Sequence, residues 1–338
     1  MFLLQYLFKR IPRLLFVLFG VTLFTFIISH MIPGDPARML IGQRASEETL
    51  NRMRAEMGLD RPVYVQYLQY MKNLSQGDLG LSIRTQQPVV KELKTFFPAT
   101  LELTLVSMII TLLMGIPLGV LAAVKRDKIA DHLSRLVALL GVSTPLFWSG
   151  LMVLLLFYKH LQLFPAAGRI DVFLTPPPAV TGMYLLDSLL ARDFTVFFNA
   201  LHHIMLPACC LAYIQLAIIA RQVRASMVEV LEQDYIRTAK ANGIPRYKII
   251  YQYALKNALL PTVTVAGLIF GELLGGAIIT ETIFAWPGMG KYVVDSVSFL
   301  DFPAIMGFTL VVAFCYVMIN LLVDLLYKLL DPQIREVG

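Results

Sequence analysis

Charge is what this chain has little of. Asp, Glu, Lys and Arg make up 15% of its 338 residues against 57% hydrophobic, and the mean hydropathy is +0.68. Water would be a poor solvent for such a folded chain, which argues against a soluble enzyme. Cysteine is scarce as well: Cys209, Cys210 and Cys315 all fall in apolar stretches, and an odd number of thiols there argues against a disulfide framework and for small apolar packing groups. Catalytic motifs are missing. No G-x-x-x-x-G-K-[ST] occurs, since Pro287-Gly288-Met289-Gly290-Lys291-Tyr292 has the wrong spacing and ends in Tyr. No H-E-x-x-H, no G-x-S-x-G and no other pairing of nucleophile with base stands out, so the chain is expected not to be an enzyme or to hydrolyse ATP unaided. Nor are there short alternating segments of the kind that build a membrane barrel.

What is present is six long apolar stretches. They run from Leu14 to Gly34, Leu103 to Val124, Leu136 to Tyr158, Phe194 to Ala220, Asn257 to Thr280 interrupted only by Glu272, and Phe302 to Val323. Roughly 20 apolar residues cross the hydrocarbon core as a helix, and in lipid only helices satisfy their own backbone in a chain of this pattern. The expectation is an all-α polytopic membrane protein with six transmembrane helices. The first band follows Lys9, Arg10 and Arg13 like a secretory signal, but it is too long for an h-region and no small-x-small site precedes Pro33, so it reads as an uncleaved span. Basic residues orient the chain. With the N-terminus inside, the inner segments carry Lys9, Arg10 and Arg13, then Lys125, Arg126, Lys128 and Arg135, then Arg221, Arg224, Arg237, Lys240, Arg246, Lys248 and Lys256. The outer loop after the fifth span has only Lys291, so both termini are expected in the cytoplasm. The net charge of +6 is then a topology signal, with no nucleic-acid partner expected.

Outside the bands, Pro33 to Ala99 reads as an external cap. Pro33, Gly34 and Pro36 should end the first helix, and two amphipathic helices follow at Glu47 to Met57 and Val63 to Leu74, separated by Gly58 and Pro62. Tyr64, Tyr67, Leu68 and Met71 share a face, and the cap either shields the pore mouth or docks an external partner. Thr175-Pro176-Pro177-Pro178 in the second outer loop reads as a stiff spacer. On the inner side, Arg221 to Asn242 continues the fourth span as a helix with Val223, Met227, Val230 and Leu231 in one stripe. Gly243 can take the left-handed conformation that stops it, and Pro245 can open a second helix carrying Ile250, Tyr253 and Ala254, with Pro261 at re-entry. In the fifth span, Gly267, Gly271 and Gly275 recur every fourth residue and are expected to pack another helix closely. Glu272 is costly there unless it faces water or a partner. It either lines a translocation cavity and meets a peptide's amino group, or it sits at an outer end or is neutral and hydrogen-bonded. His202 and His203 are adjacent and point apart, and His30, His132 and His160 fall at span ends, so no metal site is expected. Trp148 and Trp286 suit interfacial or packing positions.

The stretch Asp234 to Pro261, DYIRTAKANGIPRYKIIYQYALKNALLP, resembles the signature of permease subunits of ATP-binding cassette importers, Glu-Ala-Ala, three residues, Gly, then Ile-x-Leu-Pro. Arg237, Thr238 and Ala239 occupy the triplet, Gly243 the glycine, and Ala258, Leu260 and Pro261 the close. The form Asp-Tyr-Ile-Arg-Thr-Ala-x-Ala-x-Gly is similar to the peptide and nickel branch. So are His30-Met31-Ile32-Pro33-Gly34-Asp35-Pro36, Gly77-Asp78-Leu79-Gly80, Phe97 to Leu103, Gly115-Ile116-Pro117-Leu118-Gly119-Val120 and Thr280 to Gly290. The likeness covers essentially the whole chain and is nearest to the first permease subunit of dipeptide importers. It implies a type I importer fold in a bacterial inner membrane, divided as an N-terminal helix (1–34), a periplasmic cap (35–99), a core (100–330) with a coupling hairpin at 221–258, and a cytoplasmic tail (331–338). It implies a second permease subunit, two ATP-binding subunits that hold ATP and Mg, and a periplasmic or lipid-anchored substrate-binding protein. This chain would bind no cofactor itself. Tyr235, Arg237, Thr238, Ala239, Gly243 and Pro245 would contact an ATP-binding subunit, with Ala239 allowing close approach and Arg237 giving a charged hydrogen bond. Dipeptides are the expected cargo; nickel complexes, longer peptides or other small solutes stay open, as does an autonomous secondary transporter, although one intramembrane acid and no clear repeat argue against that.

Overall fold

The computed structural model describes residues 2–31, 35–42 and 46–330. These residues are mostly helical, with turns, an irregular loop from Leu161 to Met183 and one isolated bridge between Leu81 and Pro88. In chain order the helices are α1 (Phe2–Met31), α2 (Pro36–Ile41), α3 (Glu47–Glu56), α4 (Val63–Ser75), α5 (Val89–Val124), α6 (Ile129–Ser143), α7 (Leu146–Val153, running on as a π-helical turn at Leu154–His160) and α8 (Tyr184–Leu190). There follow α9 (Phe194–Leu231), α10 (Asp234–Ala241), α11 (Arg246–Lys248), which passes through π-helical Ile249–Ala254 into α12 (Leu255–Gly276), then α13 (Ile278–Ile283), α14 (Met289–Ser298) and α15 (Phe302–Leu330). The fold is all-α and polytopic. Among the described residues, five segments are long and apolar enough to cross a bilayer: Arg10–Met31, Val89–Val124, Phe194–Leu231, Arg246–Gly275 and Phe302–Leu326.

The third expected band is a broken helix. α6 and the α7 segment meet at 104°, and only as one bent pair do they make a sixth span. The cause is Pro145, whose ring pushes the preceding Thr144 out of the helical region to ψ 124°. A second correction concerns Arg221 to Asn242, expected as one helix: α9 ends at Leu231, and Gln233 at ψ 151° caps the separate α10. The turn at Ile32 to Gly34 and the tail 331–338 lie outside the described residues.

Two compact units divide the chain: 1–98 with 288–317, and 99–287 with 318–338. In the first unit, Asp301 is fully buried, accepts Ser82 Oγ at 2.5 Å and the Arg84 N–H at 3.2 Å, and caps the start of α15 by accepting the Ala304 N–H. Tyr292 Oη donates to Glu92 at 2.9 Å and its ring stacks on Phe96. Burial and the Glu92 carboxylate both push the Tyr292 hydroxyl upward. Gly77-Asp78-Leu79-Gly80 is a turn whose glycines sit at φ +79° and +83°, with the Gly80 N–H bonded to Asp78. The two cap helices form near the expected bounds, but their packed face differs. Tyr67 and Tyr70 close on Phe26 at 5.1 and 6.1 Å, whereas Tyr64 and Leu68 are exposed.

The second unit is organised around α9. Its buried residues from Ile204 to Met227 form the centre of a cluster with Leu103 and Met108 of α5, Ile236 and Ala239 of α10, and Ile269 and Leu273 of α12. Close approach is built in by α5. A β-carbon at Gly115 would come within 2.9 Å of Ile219, and one at Gly119 within 2.7 Å of the Ala220 carbonyl oxygen. The Gly115-to-Gly119 spacing is thus a small-residue helix contact of the kind that membrane helices favour.

Candidate coupling hairpin

α9 has 38 residues, which at 1.5 Å per residue is about 57 Å, nearly twice the roughly 30 Å hydrocarbon core. Its last turns therefore extend beyond any bilayer that its apolar middle occupies, and they carry α10. One face of α10 is apolar. Ile236 and Ala239, three residues apart, are 0% and 4% exposed and pack into the main cluster with Ile249 and Ala254. The opposite face presents Tyr235, Arg237, Thr238 and Lys240 to the exterior, with Arg237 paired to the exposed Asp234 one turn back.

The turn after α10 is a Schellman cap. The Gly243 N–H bonds to the Lys240 carbonyl and the Ile244 N–H to the Ala239 carbonyl, at 3.1 and 3.2 Å, with Gly243 at φ +73°. Ile244 then tucks against the same apolar cluster as Ala239, closing the cap with a hydrophobic contact. Pro245 supplies the extended residue from which α11 starts. A side-chain brace completes the hairpin, as Asn257 Nδ2 donates to Tyr235 Oη at 2.8 Å and links α10 to α12. Two short helices and a capped turn make a stiff element with one free polar face.

Of the residues expected to meet a partner, Tyr235, Arg237, Thr238, Gly243 and Pro245 are exposed. Ala239 is not: the close approach that its small side chain permits is to its own bundle. Gly267 packs directly on Val323 of α15, leaving no room for a β-carbon; Gly271 is buried and Gly275 half-buried. Glu272 stands on the exposed side of α12 and makes no hydrogen bond or ion pair among the described residues. Pro261 lies inside α12. Among the described residues no three His, Cys, Asp or Glu side chains gather as a metal would need. His202 bonds to the Leu163 carbonyl and His203 to Asp171 and the Ala167 carbonyl, so their partners are separate. Trp148 is exposed, while Trp286 is 1% exposed and donates Nε1–H to the Ala99 carbonyl at 2.9 Å.

Sequence reasoning missed a buried polar assembly in the same unit. Arg169 Nη2 donates to Glu102 at 2.6 Å and to the Gly182 carbonyl at 2.9 Å, and its guanidinium lies 3.6 Å from the Tyr184 ring centroid. Glu102 also accepts the Leu185 N–H, and the neighbouring Thr100 donates to the buried Glu281 at 2.6 Å. The signal was present: Glu102 is a charge at the rim of an apolar band, where it must be paired.

The chain matches two family descriptions: "Binding-protein-dependent transport system inner membrane component" over residues 115–336, and the N-terminal component of the same system over residues 3–104. It is 56% identical over 330 residues to the Probable D,D-dipeptide transport system permease protein of Escherichia coli K12, covering 98% of this chain and 97% of the relative. It is 46% identical over 336 residues to the dipeptide transport system permease protein of the same organism, with 98% and 99% covered. The glutathione transport system permease protein of Escherichia coli O6:H1 is 37% identical over 332 residues, again with 98% and 99% covered.

Proposed function

Because this chain belongs to the family of binding-protein-dependent transport system inner membrane components, we propose that it is the permease subunit of an ATP-driven importer of dipeptides that works by alternating access. It is a multi-pass inner-membrane protein whose relatives are transport permeases and not enzymes. Both termini and the hairpin face the cytoplasm in this reading. The observation that carries it is the hairpin: a helix seated by Ile236 and Ala239, fixed by a Schellman cap, and free on its polar side. Such an element transmits force, whereas a flexible linker would absorb it. Tyr235, Arg237, Thr238, Gly243 and Pro245 contact an ATP-binding subunit, and Ala239 holds the helix to the bundle from behind. The partners are a second permease subunit, two ATP-binding subunits that bind ATP and Mg, and an external substrate-binding protein. Closure of the ATP-binding subunits displaces the hairpin and tilts α9 and α12.

The unpartnered Glu272, exposed on an apolar helix, suits a position on the translocation pathway or against the second permease, because a lipid-facing carboxylate would be costly. Cargo is the finer question. The glutathione relative supports small peptides and their analogues as the range, with the external receptor doing much of the selecting. Reconstitution tests the whole reading: uptake by the assembled complex should require the ATP-binding subunits and ATP, and uptake by this chain on an ion gradient alone would overturn it. Glu272→Gln should alter uptake or substrate preference; an unchanged profile removes Glu272 from the pathway.

A further inference from the structure

The inner ends of α6 and α9 meet at a carboxylate with no solvent exposure. Asp131, in the first turn of α6, receives Arg224 of α9 as a fork, Nε to Oδ1 at 2.6 Å and Nη2 to Oδ2 at 2.8 Å. Arg135 of its own helix adds Nη2 to Oδ2 at 2.6 Å and Nε to Oδ1 at 3.2 Å, and the Asp127 N–H a further bond at 3.0 Å. A second tie lies alongside, as Arg126 donates to Glu232 at 2.7 Å. Glu232 is the residue between the end of α9 and the cap of α10. The turn at 125–128 and the start of α6 are therefore fastened on both sides of the point where the hairpin leaves α9.

Apolar packing leaves room beside the fastening. Next to it, α5, α6 and α9 leave a cavity of about 230 Å³ lined by Leu118, Leu121, Ala130, Leu133, Ala217 and Ala220. Farther along α6 the two helices come close at Gly141, whose absent β-carbon would stand 3.1 Å from Ala217. A buried ion pair is weak as a source of net stability, and fixing register is its best-attested use; Asp131–Arg224 ties α6 to α9 directly beside that hollow. Beyond Gly141, α6 ends at the Thr144-Pro145 break, where the chain turns by 104° into α7.

We infer that Asp131 is a positioning residue that fixes the register of α6 on α9, so that displacement of the coupling hairpin is carried along α6 to the bend before α7. This rests on the reading of the hairpin as the contact with an ATP-binding subunit, and the test separates the two. In proteoliposomes holding the complete complex and its receptor, uptake per ATP hydrolysed is compared for the parent, Asp131→Asn and Arg224→Lys, each also carrying Thr238→Cys for crosslinking to the ATP-binding subunit. With the crosslink intact, Asp131→Asn should lower uptake per ATP about tenfold, and Arg224→Lys, which keeps a cation but loses the fork, about threefold. Uptake and hydrolysis falling in proportion, with the ratio unchanged, would mean a purely structural clamp and overturn the inference. Where Asp131→Asn assembles poorly, Arg224→Lys decides by the same ratio. Absence of the crosslink in the parent would instead sink the hairpin reading.

Discussion

The connection that enters α9, from Leu161 to Asp193, and the one that leaves it, from Glu232 to Pro245, are held by opposite kinds of interaction. The entering loop is mostly irregular and is pinned by carboxylates. Glu102 holds Arg169, the Asp171 carboxylate accepts Asn199 Nδ2–H at 2.5 Å, and the buried Asp187 accepts the N–H groups of Val180, Thr181 and Gly182. Between these pins the tip is left bare, with Val172 and Phe173 95% and 97% exposed. The leaving connection carries such a pin at its start, Glu232 held by Arg126, and is otherwise seated by packing. It is a helix seated on two apolar side chains with its polar groups outside. A loop held by charge should fail when one charge is removed; a hairpin held by packing should fail when volume is removed.

The largest effect is expected at the entering loop. Glu102→Ala would leave Arg169, 8% exposed, without its carboxylate, and removing one member of a buried pair costs about 3–5 kcal/mol. Thermal unfolding of the detergent-solubilised complex should register it, and a loss no greater than that of an exposed pair such as Arg52–Glu56 would contradict the pinning argument. Second is Ile236→Ala in the hairpin, expected to cost about 2–4 kcal/mol and to loosen α10 so that ATP hydrolysis no longer drives uptake. Arg237→Ala on the free face should leave the melting temperature where it was. Third is Asp187→Ala, which orphans three backbone N–H groups for about 1–3 kcal/mol and should raise hydrogen exchange across Val180 to Gly182. The same clamp has a pH sign. Burial pushes the Asp187 carboxyl up, but the Thr181 and Gly182 donors outweigh it and hold it below the ordinary value of 3.8. Its contribution is complete above about pH 3.8 and is lost as pH falls through the lower folded value, so exchange at Val180 to Gly182 should stay slow from pH 7 to 5 and rise below that ordinary value.

Legibility in the sequence divides along the same line. The bands, the turn at Gly243 and the helix after Pro245 could be read because each depends on local composition: hydrocarbon length, a residue free to take positive φ, a fixed proline ring. Thr144-Pro145 was equally local, and the break was missed only because the band was read as one uncharged run. Likewise Glu102 placed the second span's start at Leu103, whereas the helix begins at Val89 and carries its charge into a cage. What could not be read was which face turns inward. Ala239, expected outside against a partner, is buried against its own bundle, and Gly115 and Gly119 proved to be a tight helix contact alongside Gly267. The glycine contacts pair residues from 56 positions apart, Gly267 with Val323, to 104 apart, Gly115 with Ile219, which no local pattern specifies.

The smallest expected effect is also the sharpest on the hairpin. At Gly243 a β-carbon meets no other atom within 4 Å, so Gly243→Ala introduces no clash and tests backbone conformation alone. Holding alanine at φ +73° costs about 1–2 kcal/mol, too little to unfold a bundle of this size. The strain falls on the cap that joins α10 to α11, where relaxation would lengthen the Ile244-to-Ala239 bond and let the polar face tilt. If the hairpin works as a stiff lever, Gly243→Ala should reduce ATP-driven uptake severalfold while the melting temperature shifts by only a few degrees. If the hairpin is only a connector, uptake should track that small shift. Because the substitution adds only a solvent-exposed methyl and removes neither charge nor buried apolar area, the two outcomes separate stiffness from attachment, which Ile236→Ala cannot do.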